Sequence, residues 1–424
     1  MEDTSDAVHE RQPEVSVDGP AGRALWDRAD RVLPGGAVYV TRSADLAGRG
    51  NLPGFVAAAE GATVTDADGR RYLDFLCANG PVLLGYRHPA VEAAAAAQAA
   101  RGDSMTGFPP VLIAWIERLL ARFPGFAWGV VGKNGSDVVS LALRVARVAT
   151  DRPEVVAFER AWHGFDPELA IRPDRVPADG QAHLRRLPWN DVEALEHWLE
   201  QHGERTAAIV LNPLDQVLVR TTRTLAPAMV TALHRARERH GCLLVLDDVR
   251  HGLRLHAEGS HRALGLDPDF LCVGKAIANG YATAALLGRP GTRGAAAKIP
   301  FTASFAFGAV ACAAGIATLD AYAETGALAR MERAGRRLVD GLSRVAAAAG
   351  HRVELSGPPT MPTLRFEGES SFSRAQQFAR EAALRGVLFH PALNWFLSAA
   401  HDDAAIDEAL AVAAEAFAVT PRLE

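Results

Sequence analysis

Lysine is scarce in this chain of 424 residues, where only three of the 45 lysine and arginine residues are lysine: Lys133, Lys275 and Lys298. Arginine keeps its proton near neutral pH, whereas a partly buried lysine can become a neutral amine nucleophile. A lysine retained at the end of an apolar strand therefore indicates amine chemistry, and Lys275 in "FLCVGKAIANG" has that position. The alternative, a chance survivor of a coding bias against lysine, stays open at this point.

Other features that are scarce or absent exclude further classes of protein. The four cysteines lie far apart among apolar residues without a CxxC pair, which predicts free core thiols in a reducing compartment rather than disulfides or metal ligands. No apolar run reaches membrane-spanning length, and the acidic N-terminus lacks the apolar region of a signal peptide. The net charge of −5 does not favour nucleic acid. We expect a cytoplasmic protein with small-molecule substrates and no nucleic-acid, membrane or metal partner.

The apolar runs predict an α/β fold. Six short runs, at 127–131, 154–159, 207–213, 242–248, 270–274 and 283–288, follow one another with helical stretches between most of them. Apolar strands that are buried on both faces and joined by helices indicate a mostly parallel, doubly wound sheet. The last run follows its predecessor too closely for a helical crossover, so we expect these two strands to be antiparallel neighbours.

The same patterns predict the domain organisation. Residues 1–20 are polar and are expected to form a disordered tail, and residues 21–75 contain a helix and a hairpin that belong to a small domain. We assign residues 76–310 to a large domain and residues 311–424 to a small C-terminal α+β domain.

Three predicted strands end on residues that carry chemistry. The run 207–213 contains Asn212, the next run ends on Asp247, and Lys275 follows the run after that. Because ligands bind beyond the carboxyl ends of strands in open α/β sheets, these side chains are expected to converge at one edge. Asp247 follows four apolar residues, and a buried carboxylate needs a partner. A purely structural ion pair with Arg250 or Arg254 is the alternative role of this acid.

A second group lies where a strand runs through "GKNGS" into a helix. Glycine leaves backbone N–H groups accessible and the helix N-terminus adds partial positive charge, so Gly135 and Ser136 indicate an anion site. The segment does not match GxxxxGK[ST], and no GxGxxG occurs, which disfavours a nucleotide or dinucleotide fold. A simple helix cap without a ligand is the alternative.

A third group, Trp162 and His163, follows another strand in "FERAWHGFDP". An aromatic side chain there could pack on the surface or stack on a flat ligand. An anion site, a buried acid, a nucleophilic lysine and a stacking aromatic together describe a site for pyridoxal 5′-phosphate (PLP). Lys275 would form the Schiff base, and Asp247 would keep the ring nitrogen protonated so that the ring withdraws electrons from the substrate.

From about residue 22 to 420 the chain resembles the class III (subgroup II) PLP-dependent aminotransferases of fold type I, closest to the branch of glutamate-1-semialdehyde 2,1-aminomutase. The resemblance rests on an ordered series of motifs: "LPGGAVYVTR", "DADGRRYLDF", "GPVLLGYRHPAV", "KNGSDVVSLALRVAR", "AWHG", "LDDV", "DPDFLCVGKAIANGYATAALLG", "TASFAFGAVACAAGIATL" and "SAAHDDAAIDEAL". It implies a large PLP-binding domain with a mostly parallel seven-stranded sheet, a smaller α+β domain, and a homodimer with active sites at the interface.

The resemblance also implies roles for individual residues. It places Gly135 and Ser136 at the cofactor phosphate, Trp162 on the ring, Asp247 at the pyridine nitrogen and Val249 against the ring. Other residues are expected at the cofactor or the substrate. His163 and Asn212 would contact the cofactor, Ser304 would reach a phosphate across the dimer interface, and Arg42 and Asn79 would bind substrate, Arg42 through a carboxylate. A surface salt bridge is the alternative for Arg42.

Departures from the family pattern bear on the substrate. Asn212-Pro213 stands where much of the family has Glu-Pro, Asn79 stands near a position that is often tryptophan in the aminomutase branch, and Phe307-Gly308-Ala309 replaces Gly-Asn-Pro. These changes disfavour a glutamate-1-semialdehyde aminomutase. They favour an aminotransferase for another amine, with amino sugars or other specialised metabolites as candidates. The alternatives are an intramolecular PLP isomerase (an aminomutase, epimerase or racemase) and a catalytically silent PLP-fold subunit.

Overall fold

The computed structural model describes residues 16–34, 47–170, 176–215 and 221–422. The chain divides into two compact units. The smaller unit consists of Met1–Asn79, Gly85–Arg87 and Ala329–Glu424, and the larger unit consists of Gly80–Leu84 and His88–Leu328. No helix in these described ranges is long and apolar enough to cross a membrane.

The strands, in chain order, are β1 (Val56–Glu60), β2 (Thr63–Asp66), β3 (Arg71–Asp74), β4 (Trp128–Gly132), β5 (Glu154–Phe158), β6 (Leu184–Leu187), β7 (Thr206–Leu211), β8 (Leu214–Asp215), β9 (Arg223–Thr224), β10 (Leu243–Asp247), β11 (Phe270–Val273), β12 (Ala284–Gly288), β13 (Val353–Ser356), β14 (Thr363–Phe366) and β15 (Val387–Leu388). The helices are α1 (Pro20–Val32), α2 (Pro89–Ala99), α3 (Pro110–Arg122), α4 (Gly135–Thr150), α5 (Val192–His202), α6 (Pro227–His240), α7 (Ser260–Leu264), α8 (Arg293–Ala296), α9 (Ala309–Glu324), α10 (Ala327–Ala348), α11 (Ser373–Leu384) and α12 (Asp403–Val419).

The larger unit contains a seven-stranded sheet with the order β4-β12-β11-β10-β7-β5-β6. The pairs β11–β10, β10–β7, β7–β5 and β5–β6 are parallel, and β12 is antiparallel to both of its neighbours. The mostly parallel α/β fold and the antiparallel placement of β12 are therefore confirmed. Every residue of β5, β7, β11 and β12 is buried, because helices cover a parallel sheet on both faces.

Helix α4 supplies much of the core next to the sheet. Its buried side chains, which include Val138, Leu141 and Val145, pack with strand residues such as Val155 and Val210 in one apolar cluster. The packing matters for function, because α4 begins at Gly135. Burial of its apolar face therefore holds its N-terminus at the carboxyl edge of the sheet.

The smaller unit contains a four-stranded sheet with the order β1-β2-β3-β15. β2 and β3 form the predicted antiparallel hairpin, whose turn contains Gly69 with a φ of 84°. The predicted disordered tail extends too far, because Val17 is fully buried in a cluster with Tyr72 and Leu388. Residues 1–15 of that tail lie outside the described residues.

The division into units differs in detail from the predicted domain boundaries. The predicted boundary between residues 310 and 311 falls inside α9, the whole of which belongs to the larger unit; that unit ends at Leu328. Small residues on α9 allow a close approach to its neighbours: a Cβ at Gly315 would lie 2.6 Å from the Trp115 ring of α3.

Candidate functional site

All the predicted site residues of the larger unit except Ser304 meet around one cavity at the carboxyl ends of the parallel strands. The cavity has a volume of about 120 Å³, and it is lined by Gly135, Ser136, Trp162, His163, Gly164, Asn212, Asp247, Val249, Arg250 and Lys275. Each lining residue follows or ends a strand: β4, β5, β7, β10 or β11. The topology therefore brings together side chains that are up to 140 positions apart in the sequence, from Gly135 to Lys275.

Asp247, at the end of β10, is buried, and both of its carboxylate oxygens are hydrogen-bonded. Its Oδ2 lies 2.9 Å from His163 Nδ1, and its Oδ1 accepts a hydrogen bond from the Val249 N–H at 3.2 Å. The buried Asn212 donates its amide to the Asp247 carbonyl at 3.2 Å. Arg254, an alternative partner for this acid, donates instead to the backbone carbonyls of residues 80 and 82. The acid is held by a histidine and a backbone amide.

Lys275 begins a short 3-10 turn, Lys275–Ala278, directly after β11. Its φ of 48° lies in the left-handed region, which costs a non-glycine residue about 1 kcal/mol or more and persists only where the surroundings impose it. Burial, and then the positive charge of Arg250, lower the pKa of Lys275 from 10.5 to about 7, although Asp247 acts in the opposite direction. The amine is therefore substantially neutral near pH 7 and can act as a nucleophile or base.

The predicted anion site lies at the N-terminus of α4. The side chain of Asp137 accepts hydrogen bonds from the backbone N–H groups of Lys133 and Asn134, both at 2.8 Å, which fixes the loop before the helix. Ser136 Oγ accepts a hydrogen bond from the Phe165 N–H at 3.1 Å, so its own proton remains available to a ligand. We call residues 133–136 the anion loop.

Two glycines keep the cavity open beside the anion loop. Gly164 has a φ of 115°, and a Cβ there would lie 2.5 Å from Ser136 Oγ. A Cβ at Gly135 would lie 2.8 Å from Val249 Cγ1. A side chain at either position would collide with Ser136 or Val249, so the close approach of these segments requires glycine at both.

The remaining predicted site residues are Trp162, Ser304, Asn79 and Arg42, and of these only Trp162 lines the cavity among the residues that the structure describes. Trp162 is 48% exposed and lines the cavity, so its ring is accessible to a flat ligand. Ser304 is exposed on a turn and does not line this cavity within the described chain. Asn79 belongs to the smaller unit and has a φ of 66°. Arg42 lies outside the described residues.

Two cavity residues were not assigned to the site from the sequence. Arg250 was considered only as a structural partner for Asp247, although its position three residues after a strand-end acid already placed it near the carboxyl edge. Gly164 follows Trp162 and His163 in "AWHG", and a glycine beside two candidate residues was the available signal.

The residues present fit PLP. His163 Nε2 is a buried nitrogen with no hydrogen-bond partner in the part of the chain that the structure describes, beside a cavity that would receive the polar cofactor. The glycine-lined anion loop suits a phosphate, Asp247 suits a protonated ring nitrogen, and Lys275 supplies a primary amine. Among the described residues, no group of three or more metal-ligating side chains could hold a metal ion.

Comparisons with known proteins identify the family of the chain. The family model of the class-III aminotransferases matches residues 46–400. The chain is 35% identical over 406 residues to an aminopentol aminotransferase of Sphingopyxis macrogoltabida, covering 96% of each chain. It is 32% identical to a glutamate-1-semialdehyde 2,1-aminomutase of Syntrophobacter fumaroxidans, covering 93% of this chain and 96% of the relative.

A solved structure shows the same likeness. The FumI protein of Sphingopyxis sp. MTA144, in its PLP internal aldimine form, superposes with a TM-score of 0.92 at 35% identity, covering 94% of this chain and 96% of that one. The fold and the site thus define a PLP-dependent enzyme of fold type I. The chain belongs to the class-III aminotransferase family.

Proposed function

We propose that Lys275 and Asp247 are the catalytic residues of this aminotransferase. We propose further that Gly135 and Ser136 hold the cofactor phosphate, while Trp162 and Val249 contact the ring. The observation that carries the proposal is the convergence of a lysine with a lowered pKa, a buried acid and an anion loop on one cavity. His163 and Asn212 support Asp247 through its carboxylate and its carbonyl.

Lys275 and Asp247 would act on different atoms during the reaction. When bound, PLP supplies an aldehyde that captures the substrate amine and a ring that accepts the electron pair released at the substrate carbon. Lys275 Nζ, whose pKa is lowered to about 7 by burial and then by Arg250, is neutral in about half of the molecules at pH 7, and in that form it can take a proton from the carbon that carries the amine and return it. His163 and the Val249 amide orient the Asp247 carboxylate, which would hold a proton on the ring nitrogen of the bound cofactor.

We propose that the reaction moves an amino group between two molecules, from an amine or amino-acid donor to an aldehyde or ketone acceptor. The aminopentol aminotransferase relative supports an amine that also carries hydroxyl groups, in line with the amino-sugar candidates. The aminomutase relative keeps an intramolecular isomerase as the second candidate. The two differ in one observable requirement, because only the aminotransferase needs a separate amino donor.

We also propose a homodimer. Phe108 and Phe305 are 74% and 63% exposed, Phe307 contacts the Phe108 ring at 5.2 Å, and Lys133 Nζ lies 5.8 Å from the Phe305 ring. Exposed aromatic clusters of this kind mark interaction surfaces. In such a dimer Ser304, next to Phe305, would reach the partner's phosphate.

A cytoplasmic location also stays a proposal, supported by four free cysteine thiols.

The scarcity of lysine makes the lysine assignment directly testable. Borohydride reduction of the holoenzyme followed by peptide mapping should place the cofactor label on the peptide that contains Lys275, and on neither Lys133 nor Lys298. Lys275→Ala should abolish the visible absorbance of bound cofactor and turnover. Lys298→Ala, at an exposed lysine, is the matched control and should retain both. A label on another lysine would contradict the assignment.

The reaction type is tested on the holoenzyme with single substrates. Incubation with a donor alone should convert the visible absorbance of the cofactor to that of its amine form, and addition of an acceptor alone should restore it. Product formation from one substrate without any donor would instead support the isomerase.

A further inference from the structure

Arg254 is a buried arginine that none of the roles proposed above uses. Its side chain is 1% exposed, and its Nη2 donates hydrogen bonds to the backbone carbonyls of Gly80 at 3.0 Å and Val82 at 2.9 Å. Residues 80–84, which we call the bridge segment, belong to the larger unit and to no helix or strand. A side chain from the turn after β10 therefore provides pairing that regular secondary structure does not provide here.

Asn279 holds the other end of the bridge segment. Its Oδ1 accepts hydrogen bonds from the N–H groups of Leu83 at 2.9 Å and Leu84 at 2.8 Å, and all three residues are buried. A buried backbone group that loses its partner is costly, so the bridge segment is tied to both side chains at once. It therefore connects Arg254 to Asn279.

The two ends of this connection lie in the turns that follow Asp247 and begin at Lys275. Arg254 stands at the end of the turn after Asp247, and the hydroxyl of the buried Tyr322 fixes that turn by donating to the carbonyl of residue 253 at 2.9 Å. Asn279 stands at the end of the short turn that begins at Lys275. The strands β10 and β11 pair only as far as residues 247 and 272, so the bridge segment links the two turns beyond the strand pairing.

The charge of Arg254 also acts on Lys275. Burial lowers the pKa of Lys275 most, Arg250 lowers it next, and Arg254 lowers it as well, whereas Asp247 raises it. Because such effects weaken with distance, the guanidinium of Arg254 lies within electrostatic range of the lysine amine. Removal of this charge should therefore raise the pKa of Lys275.

We propose that Arg254 is a positioning residue that, through the bridge segment and Asn279, sets where the Lys275 amine stands relative to Asp247. The aldehyde and the ring nitrogen of PLP lie at opposite ends of one ring, so a displacement of either turn would misplace the amine. The inference rests on the proposed roles of Lys275 and Asp247. The alternative is that Arg254 only stabilises the fold, and the two roles differ in how a variant behaves once it has folded.

The test measures the capture of PLP by folded apoprotein, followed by the visible absorbance of the bound cofactor. Arg254→Met removes the charge and both hydrogen bonds, and it should bind PLP about 10- to 100-fold more weakly than the wild type. The pH midpoint of capture should also rise above about 7, the value expected for the wild type. Arg254→Lys retains the charge and a donor group, so its midpoint should stay near 7 and its affinity should fall less.

A double-mutant cycle tests the path through the bridge segment. If Arg254 and Asn279 act through the same segment, the combination of Arg254→Met with Asn279→Ala should bind PLP within about threefold of the weaker-binding single variant. Losses that multiply would show that the two residues act independently, which overturns the proposal. Should Arg254→Met fail to fold, Arg254→Lys with Asn279→Asp gives the same cycle with smaller changes.

Arg365 is the matched control for a purely structural role. It is a buried arginine of the smaller unit that likewise donates to backbone carbonyls, those of Pro391 and Ala392. Arg365→Met should lower the thermal midpoint of unfolding but leave the PLP affinity and the pH midpoint of the folded protein unchanged. A folded Arg254→Met variant with wild-type affinity and midpoint would overturn the proposal, and so would an equal loss of affinity in Arg365→Met.

Failure of the proposed function has a different signature. None of these measurements needs a substrate, so they decide the role of Arg254 even in a holoenzyme that binds PLP at Lys275 but transfers no amino group. Borohydride reduction that labels another lysine would show that the assignment of Lys275 is wrong, and it would overturn this inference together with that assignment.

Discussion

The side chain of Asn279 joins the lysine segment to residues 80–84 of the same unit. Its Oδ1 accepts hydrogen bonds from the backbone N–H groups of Leu83 at 2.9 Å and Leu84 at 2.8 Å, and all three residues are buried. Asn279 itself has a φ of 45°, so left-handed residues, Lys275 and Asn279, stand at both ends of the 275–279 turn. We therefore expect Asn279 to impose the strained backbone that presents the lysine.

Asn279→Ala removes the acceptor of two buried N–H groups. Each group left unsatisfied costs about 1–3 kcal/mol, and alanine in the left-handed region adds about 1 kcal/mol. We expect a loss of about 3–7 kcal/mol in the free energy of unfolding, measured by urea denaturation of the apoprotein, with a lower affinity for PLP. Asn279→Gly also removes the Oδ1 acceptor, but glycine adopts the left-handed backbone without cost, so this variant should be slightly more stable than Asn279→Ala. Asn279→Asp retains an acceptor oxygen and should recover part of the stability that Asn279→Ala loses.

Asn190 offers the matched control. It also has a positive φ, 61°, and its Oδ1 accepts a hydrogen bond from the Ala226 N–H at 2.9 Å, but it is only half-buried, so water can replace the lost acceptor. Asn190→Ala should cost about 1 kcal/mol and leave PLP binding unchanged. An Asn279→Ala variant that loses no more stability than Asn190→Ala, with normal PLP affinity, would refute the reasoning.

Three further predictions concern the cavity and its acids. Gly164→Ala should weaken PLP binding strongly, because the added Cβ would lie 2.5 Å from Ser136 Oγ and because Gly164 has a φ of 115°. Gly107→Ala, which has open space around it, should leave PLP binding unchanged. Equilibrium titration of both variants with PLP checks the prediction. The rate at which the apoprotein captures PLP should rise with pH through about 7, the pKa of Lys275, because only the neutral amine reacts, and a midpoint near 10.5 would contradict this. Burial raises the pKa of Asp248 from 3.8 to about 7, so the folded state holds a proton that the unfolded chain has lost in this interval. The contribution of Asp248 to the free energy of unfolding is fully present below pH 3.8 and is lost as the pH rises through 7. Asp248→Asn should remove this pH dependence when the free energy of unfolding is measured in urea at several pH values.

Much of the larger unit could be predicted from the sequence because its strands are buried on both faces. Runs such as "EVVAFE" and "CLLVLDD" are continuous and apolar, and the residues that end them lie at one edge in any parallel sheet. That rule alone predicts that Asn212, Asp247 and Lys275 converge. It did not identify β6, "LRRL", because an edge strand is partly exposed and its two arginines hide the strand pattern.

Tertiary structure decided the features that depend on packing between distant segments. The sequence could not show that Asp247 pairs with His163, because the two residues are 84 positions apart and meet only when β5 and β10 lie in the same sheet. Similarly, "VSVD" reads as part of a polar tail, yet Val17 is buried because Tyr72 and Leu388 cover it.

The sequence by itself thus determined the residue types available for chemistry and the edge on which they stand, since strand ends and helix starts follow from local patterns. Only the tertiary structure decided which charges are neighbours. The lowered pKa of Lys275 and the presence of Arg250 in the cavity both result from bringing the turn after β10 beside the turn after β11. Burial and charge proximity are properties of the packed chain, and no local pattern of residues encodes them.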